Sequence, residues 1–156
     1  MLFNSLIPFS NLLGFKLVHF EGGESAIEYA PKPEHLNTFA VVHGGAVMTL
    51  LDVALASAAR SVADNMAVIT IEMKTSFMRA APGDGSIITA RGHLLHRTAK
   101  MAFVEAKVYD AQSNICAHAT GTFKYVRSPY APPDPTEPAK PTGQADTPAA
   151  GPTGGA

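Results

Sequence analysis

The chain has 156 residues, about one domain by length, with 46% hydrophobic residues and a formal charge of −1 from 12 basic and 13 acidic side chains. These charges are spread along the sequence, which excludes an electrostatic footprint for nucleic acid. The lone cysteine, Cys116, excludes an internal disulfide framework and fits a reducing compartment.

Met1 to Leu13 reads as a short amphipathic helix broken or kinked by Pro8. It lacks a basic n-region and a small-residue cleavage site, so it is not read as a signal peptide. Phe15 to Phe20 and Ser25 to Ala30 are expected to form a hairpin through the turn Glu21-Gly22-Gly23-Glu24. Pro31 and Pro33 stop it.

His43-Gly-Gly-Ala-Val-Met-Thr-Leu-Leu-Asp52 then opens a helix running to about Ser61. From Ala46 to Ala59 only Thr49, Asp52 and Ser57 are polar, so no polar face runs along it and the helix is expected to be buried all round. Histidine, paired glycines and an acid interrupt an apolar run already short for a bilayer, so no membrane span is read here. A cytoplasmic protein is expected.

Asp52 is the anomaly. A buried carboxylate costs several kcal/mol, about 3–5 when its partner is missing, and its helical neighbours Met48, Thr49, Leu55 and Ala56 include no cation. Asp52 is thus either paired from another segment or kept for its chemistry. Gly44 and Gly45 leave first-turn N–H groups open at the positive end of the helix dipole, which makes an anion or oxyanion site; close packing is the other reason for glycine there.

Asp64-Asn65 supplies a turn. Ala67 to Ala80 follows as a strand, its alternation setting Ile69, Ile71 and Met73 on one face and Thr70, Glu72 and Lys74 on the other. After the turn at Pro82 to Gly85 come strands at Ser86 to Arg97, Lys100 to Asp110 and Ile115 to Val126. The last four strands are expected as a meander, in one antiparallel sheet wrapped round the helix. His93 and His96 should face opposite ways, His118 and Cys116 the same way, and neither pair makes a metal site. No cofactor is implied.

Eight of the twelve prolines fall between Pro129 and Pro152, where hydrophobic periodicity ends. The chain therefore divides into a folded domain at 1–126 and a Pro/Ala/Gly-rich disordered tail at 127–156.

Asn37, five residues, His43-Gly44-Gly45, then Asp52 nine residues after the histidine resembles the signature of the PaaI-like (phenylacetate-degradation type) acyl-CoA thioesterases of the hotdog superfamily. The resemblance extends from about Leu13 to Val126. It implies an α+β hotdog fold, an antiparallel sheet around one long central helix, in a homodimer whose active sites lie at the interface and which often pairs again into a dimer of dimers. It also implies an acyl-CoA substrate, aryl such as phenylacetyl or medium-chain. Asn37, His43 and Gly44 of one chain would stand opposite Asp52 and Thr70 of the other. Gly44 would offer its N–H to the thioester oxygen, and Asp52 would act as general base or nucleophile. Thr70 would hold Asp52 or the water, Asn37 would bond near the carbonyl or water, and His43 would orient the loop.

Gly45 is assigned to substrate binding, and Arg79, Arg97 and Lys100 are candidates for the CoA phosphates. Met48, Leu51, Phe77 and Met78 are candidate acyl-pocket residues. Ala40 and Ala99 stand where the family often has glycine. The alternative reading is a non-catalytic acyl-CoA-binding hotdog module; a hydratase on this fold would not account for the aspartate nine residues after His-Gly-Gly.

Overall fold

A computed structural model describes residues 7–64 and 66–127. Helix α1 (Pro8–Leu13) begins at Pro8 rather than breaking there, because proline's fixed φ and missing N–H suit the first turn. Residues 1–6 and the tail from 128 onward lie outside the described residues. Strands β1 (Lys16–Glu21) and β2 (Glu24–Tyr29) form the expected hairpin. Gly22 and Gly23 have φ of 61° and 88°, the left-handed pair that a two-residue hairpin turn requires.

Helix α2 (Gly44–Arg60) follows, then β3 (Met66–Phe77), β4 (Ile88–Arg97), β5 (Met101–Tyr109) and β6 (Ile115–Arg127). The sheet is antiparallel in the order β1-β2-β4-β5-β6-β3. This corrects the four-strand meander, since only β4, β5 and β6 follow one another. β3 instead lies at the far edge beside β6. The stretch after β3 is tied to the approach to α2, through a Val41–Pro82 bridge and a Val42 N–H bond to the Ala81 carbonyl (3.1 Å), and so it leads away from β3 before entering β4.

The sheet curls round α2, whose Leu50, Leu51 and Leu55 are fully buried with Ile27, Ile88, Val108 and Phe123. Leu51 is thus core and not pocket lining. The burial is incomplete on one side: Met48 is 39% exposed and Gly45 is open, so a single chain does not cover the whole helix. No helix among the described residues is long and apolar enough to cross a membrane.

Bulges correct three readings of strand faces. In β3, Thr70 pairs with Phe123 and Glu72 with Thr122, so Ile71 is the extra residue. Thr70 therefore shares the inner face with Met73 and Thr75, while Glu72 points outward and accepts from Thr122 Oγ1 at 3.1 Å. In β4 the extra residue is Leu95, which puts His93 and His96 on the same outer face, opposite Glu105 and Phe103. In β6 it is Cys116, whose thiol is buried while His118 lies outside against Glu105 at 3.2 Å.

Gly92 sets the distance between helix and sheet. A Cβ there would stand 2.5 Å from the Ala54 carbonyl oxygen and 2.7 Å from Ser25 Oγ, which itself donates to that carbonyl at 2.7 Å. Gly92→Ala must push α2 off β4, and overpacking of this kind costs about 1–3 kcal/mol. Urea unfolding should show that loss. Unchanged stability would mean that the helix can shift freely over β4.

Candidate functional site

The loop into α2 is held by Asn37. Its Oδ1 accepts from the N–H of Phe39 (2.9 Å) and of Val41 (3.4 Å), its own N–H bonds the Val41 carbonyl (2.9 Å), and its carbonyl accepts from Ala40 (3.0 Å). Ala40 takes φ of 55°, left-handed backbone that favours glycine, which fits its place where the family often has Gly. Asn37 Oδ1 is committed to the loop; its Nδ2 makes no hydrogen bond among the described residues.

His43 caps the helix. Its Nδ1 accepts from the Gly45 N–H at 2.9 Å, and its own N–H bonds the His35 carbonyl at 2.9 Å. One of the two glycine donors is therefore already taken. The Gly44 N–H has no acceptor among the described residues, and the Phe77 ring stands beside Gly44, 3.6 Å from where a Cβ would be.

Gly44 and Asn37 line a cavity of about 340 Å³ together with Val47, Phe77, Met78 and Arg79. Val42, Ala81 and Cys116, all buried, also line it. Burial raises the Cys116 thiol pKa. His43 and Gly45 line a different cavity, of about 380 Å³, with Thr49, His35 and the α1 residues Phe9 and Leu13. Met48 lines neither of these two cavities.

Asp52 is half-buried on the next part of the helix. Thr70 Oγ1 donates to its Oδ1 at 2.8 Å, a contact set by the Ile71 bulge. Thr49, the one polar neighbour on its own helix, bonds the Gly45 carbonyl instead (2.9 Å). None of the ion pairs among the described residues includes Asp52. Burial raises its pKa above the ordinary 3.8, and the Thr70 hydrogen bond pulls part of the way back.

One chain does not bring the six residues Asn37, His43, Gly44, Gly45, Asp52 and Thr70 together. Gly44 and Asp52 are eight residues apart on a straight helix, about 12 Å along its axis. A thioester carbonyl at the Gly44 N–H is out of reach of the same chain's Asp52.

Arg97 is farther still, at the opposite end of α2. Its Nη1 donates to the Val62 carbonyl, and its guanidinium lies 5.3 Å from the centre of the Tyr125 ring. Lys100 is exposed in the β4–β5 turn, where its carbonyl accepts from the Tyr125 N–H at 2.9 Å. Arg79 alone of the three cations lines the Gly44 cavity. Val42, Val47, Ala81 and Cys116 were missed as cavity lining, since small apolar residues on strands and helices read only as core. No three His, Cys, Asp or Glu among the described residues are grouped as metal ligands.

An esterase-named protein of Saccharolobus solfataricus is 29% identical over 116 residues, covering 74% of this chain and 81% of its own length. The PaaI protein of Escherichia coli, from the phenylacetic acid degradation operon, superposes with a TM-score of 0.73 at 20% identity, over 78% of this chain and 86% of that one. A Streptococcus mutans protein bound to acetyl CoA superposes with a TM-score of 0.68 at 21% identity, over 74% of this chain and 90% of that one. Both share the hotdog fold with this chain. Residues 39–117, the loop, α2 and the strands as far as β6, match the family model of the Thioesterase superfamily, and the chain belongs to that family.

Proposed function

We propose that this protein is an acyl-CoA thioesterase working as a homodimer, each site taking its oxyanion donor from one subunit and its carboxylate from the other. The observation that carries the reading is the division of the site along α2. A free N–H at Gly44 and an ion-pair-free, half-buried Asp52 are both present, about 12 Å apart on one rigid helix. The acetyl CoA in the S. mutans structure and the phenylacetic acid operon of the E. coli protein support an acyl-CoA substrate.

The edge of the sheet favours the dimer. β3 is twelve residues long and unpaired on its outer side among the described residues, with Ile69, Ile71 and Phe77 each more than half exposed. A long apolar edge of this kind is an aggregation hazard unless another strand covers it. Gly44 stands beside Phe77 and Asp52 beside Thr70. Two β3 edges paired antiparallel about a two-fold near Met73 would set Phe77 of one chain opposite Thr70 of the other. That pairing brings the Gly44 N–H toward the partner subunit's Asp52.

In this arrangement the substrate carbonyl oxygen accepts from Gly44, which stabilises the negative charge that develops as the thioester is attacked. The ionised Asp52 takes a proton from water or attacks the carbonyl itself, and the CoA thiolate leaves. Thr70 orients the carboxylate. His43 keeps the helix start in shape by capping Gly45. A phenylacetyl or medium-chain acyl group, and a further pairing of dimers, belong to the same reading.

Purified protein should release CoA thiol from acyl-CoAs, and Asp52→Ala should lose that turnover by several orders of magnitude. Binding without turnover in the wild type would favour the acyl-CoA-binding module. Thiol release should also fall at acid pH along a limb centred above 3.8, because the raised carboxyl takes up its proton there.

The shared site has its own test. Gly44→Pro removes the N–H without breaking the helix, since proline suits the first helical position and the His43 ψ of 135° is compatible with a following proline, and its Cβ meets Phe77 at ordinary contact distance. Gly44→Pro and Asp52→Ala chains should each be inactive alone. Unfolded and refolded together, they should recover roughly a quarter of wild-type activity, because half the dimers are mixed and each mixed dimer holds one intact site. No recovery from refolded, dimeric mixtures would overturn a site built from Gly44 of one subunit and Asp52 of the other.

The same charge should cost stability. Below the unfolded pKa both states hold the proton and there is no penalty; above the raised folded pKa the penalty is complete. Asp52→Asn should therefore melt at a higher temperature than wild type at pH 7, and the gap should close as the pH falls to about 3.8. A gap independent of pH would mean that the charge is not what costs stability.

A further inference from the structure

We propose that the cavity beside Gly44 is the acyl pocket and that Arg79 selects short acyl groups whose far end carries a carboxylate. This rests on the thioesterase reading and adds the class of acid to it. The cavity's floor is apolar, formed by Val42, Val47, Ala81 and Cys116. Its volume within one chain, about 340 Å³, stands at the low end of ligand pockets, about 300–1,000 Å³, which favours a short acyl group.

Three of its lining residues bring hydrogen-bond donors. The Gly44 N–H has no acceptor, Asn37 Nδ2 has none once Oδ1 is spent on the loop, and Arg79 brings a guanidinium. No carboxylate lines the cavity. Asp110 lies near enough for the Arg79 charge to lower its pKa, but its hydrogen bonds come from Gln112 N–H (3.0 Å), Asn114 N–H (2.8 Å) and Asn114 Nδ2 (3.0 and 3.2 Å). Arg79 forms no salt bridge among the described residues.

A cavity that brings these donors together with apolar Val42, Val47, Ala81 and Cys116 suits an apolar chain carrying two acceptors, a thioester oxygen for Gly44 and an anion for Arg79. A CoA phosphate is also an anion. The long pantetheine arm, however, separates the phosphates from the thioester, whereas Arg79 and Gly44 line the same cavity. The anion at Arg79 therefore belongs to the acyl group.

The test compares glutaryl-CoA with valeryl-CoA, equal in length and differing in the terminal carboxylate, each also as its 3′-dephospho form. Wild type should favour glutaryl-CoA in kcat/KM by about 10- to 100-fold, the usual worth of hydrogen bonds to a charged group. Arg79→Met should bring that ratio to one or below, and Arg79→Lys, which keeps the charge, should retain part of it. A ratio near one in wild type overturns the proposal. So does a loss in Arg79→Met that is equal for both substrates and absent for the dephospho forms, which would make Arg79 a phosphate contact. Turnover of phenylacetyl-CoA with neither of these two substrates cleaved overturns the proposal and leaves the thioesterase reading standing; thiol release from no acyl-CoA at all makes the thioesterase reading fail separately. Calorimetric titration of both CoA esters into wild type and Arg79→Met then reads the same ratio as affinities.

Discussion

The rise of α2 is the constraint on which the chemistry depends. Hydrogen-bonded along its length and clamped by the Gly92 contact, the helix cannot bend to bring its first turn to its third. Gly44 and Asp52 are held apart as marks on a ruler are. Two features of the fold follow from the same geometry: an apolar helix with an open face around Met48, and a long β3 edge with no partner. A second copy across that edge would cover the open face, remove the edge and complete the site at once. Such economy is expected where binding surface and active site share one seam.

On the proposed mechanism Asp52 lies where folding and function conflict. Its carboxylate receives one hydrogen bond, from Thr70, and burial makes its ionised form unfavourable. A group kept for stability would be paired or replaced by a neutral side chain. The Ile71 bulge turns Thr70 inward to meet it, and without that bulge the threonine would point away from the helix. A raised pKa also suits a base, because a carboxylate that holds its proton more tightly takes one from water more readily.

Much of this was legible in the sequence. α2 begins within the predicted His43-Gly44-Gly45 stretch, because capping chemistry and helical spacing are local. The strands were found with ends in error by a few residues. What failed was everything a bulge changes: the faces of Thr70, His96 and Cys116 each depended on one extra residue, and an inserted Ile, Leu or Cys has no composition that marks it. The place of β3 was hidden for a different reason. Strand order is decided by which edges pair across the helix, and a run of alternating residues carries no record of its neighbour. The cavity was hidden because Val47, Ala81 and Cys116 line it with the same atoms that would fill a core.

The proposed division of the site would also solve an electrostatic problem. The Gly44 cavity holds an open N–H at a helix start, a free amide donor and the Arg79 cation, all favourable to negative charge. A carboxylate built into the same cavity would fall into that field, pair with the guanidinium and lose both its basicity and its freedom to act. On the helix flank Asp52 meets no cation and only one donor. In the proposed dimer it would therefore remain ion-pair-free until assembly brought it to the carbonyl. The donors, for their part, remain unfilled for the substrate's own oxygens. Separation along one helix thus keeps acid and donors from neutralising each other within a chain, and a two-fold axis is the simplest operation that returns them to a common point.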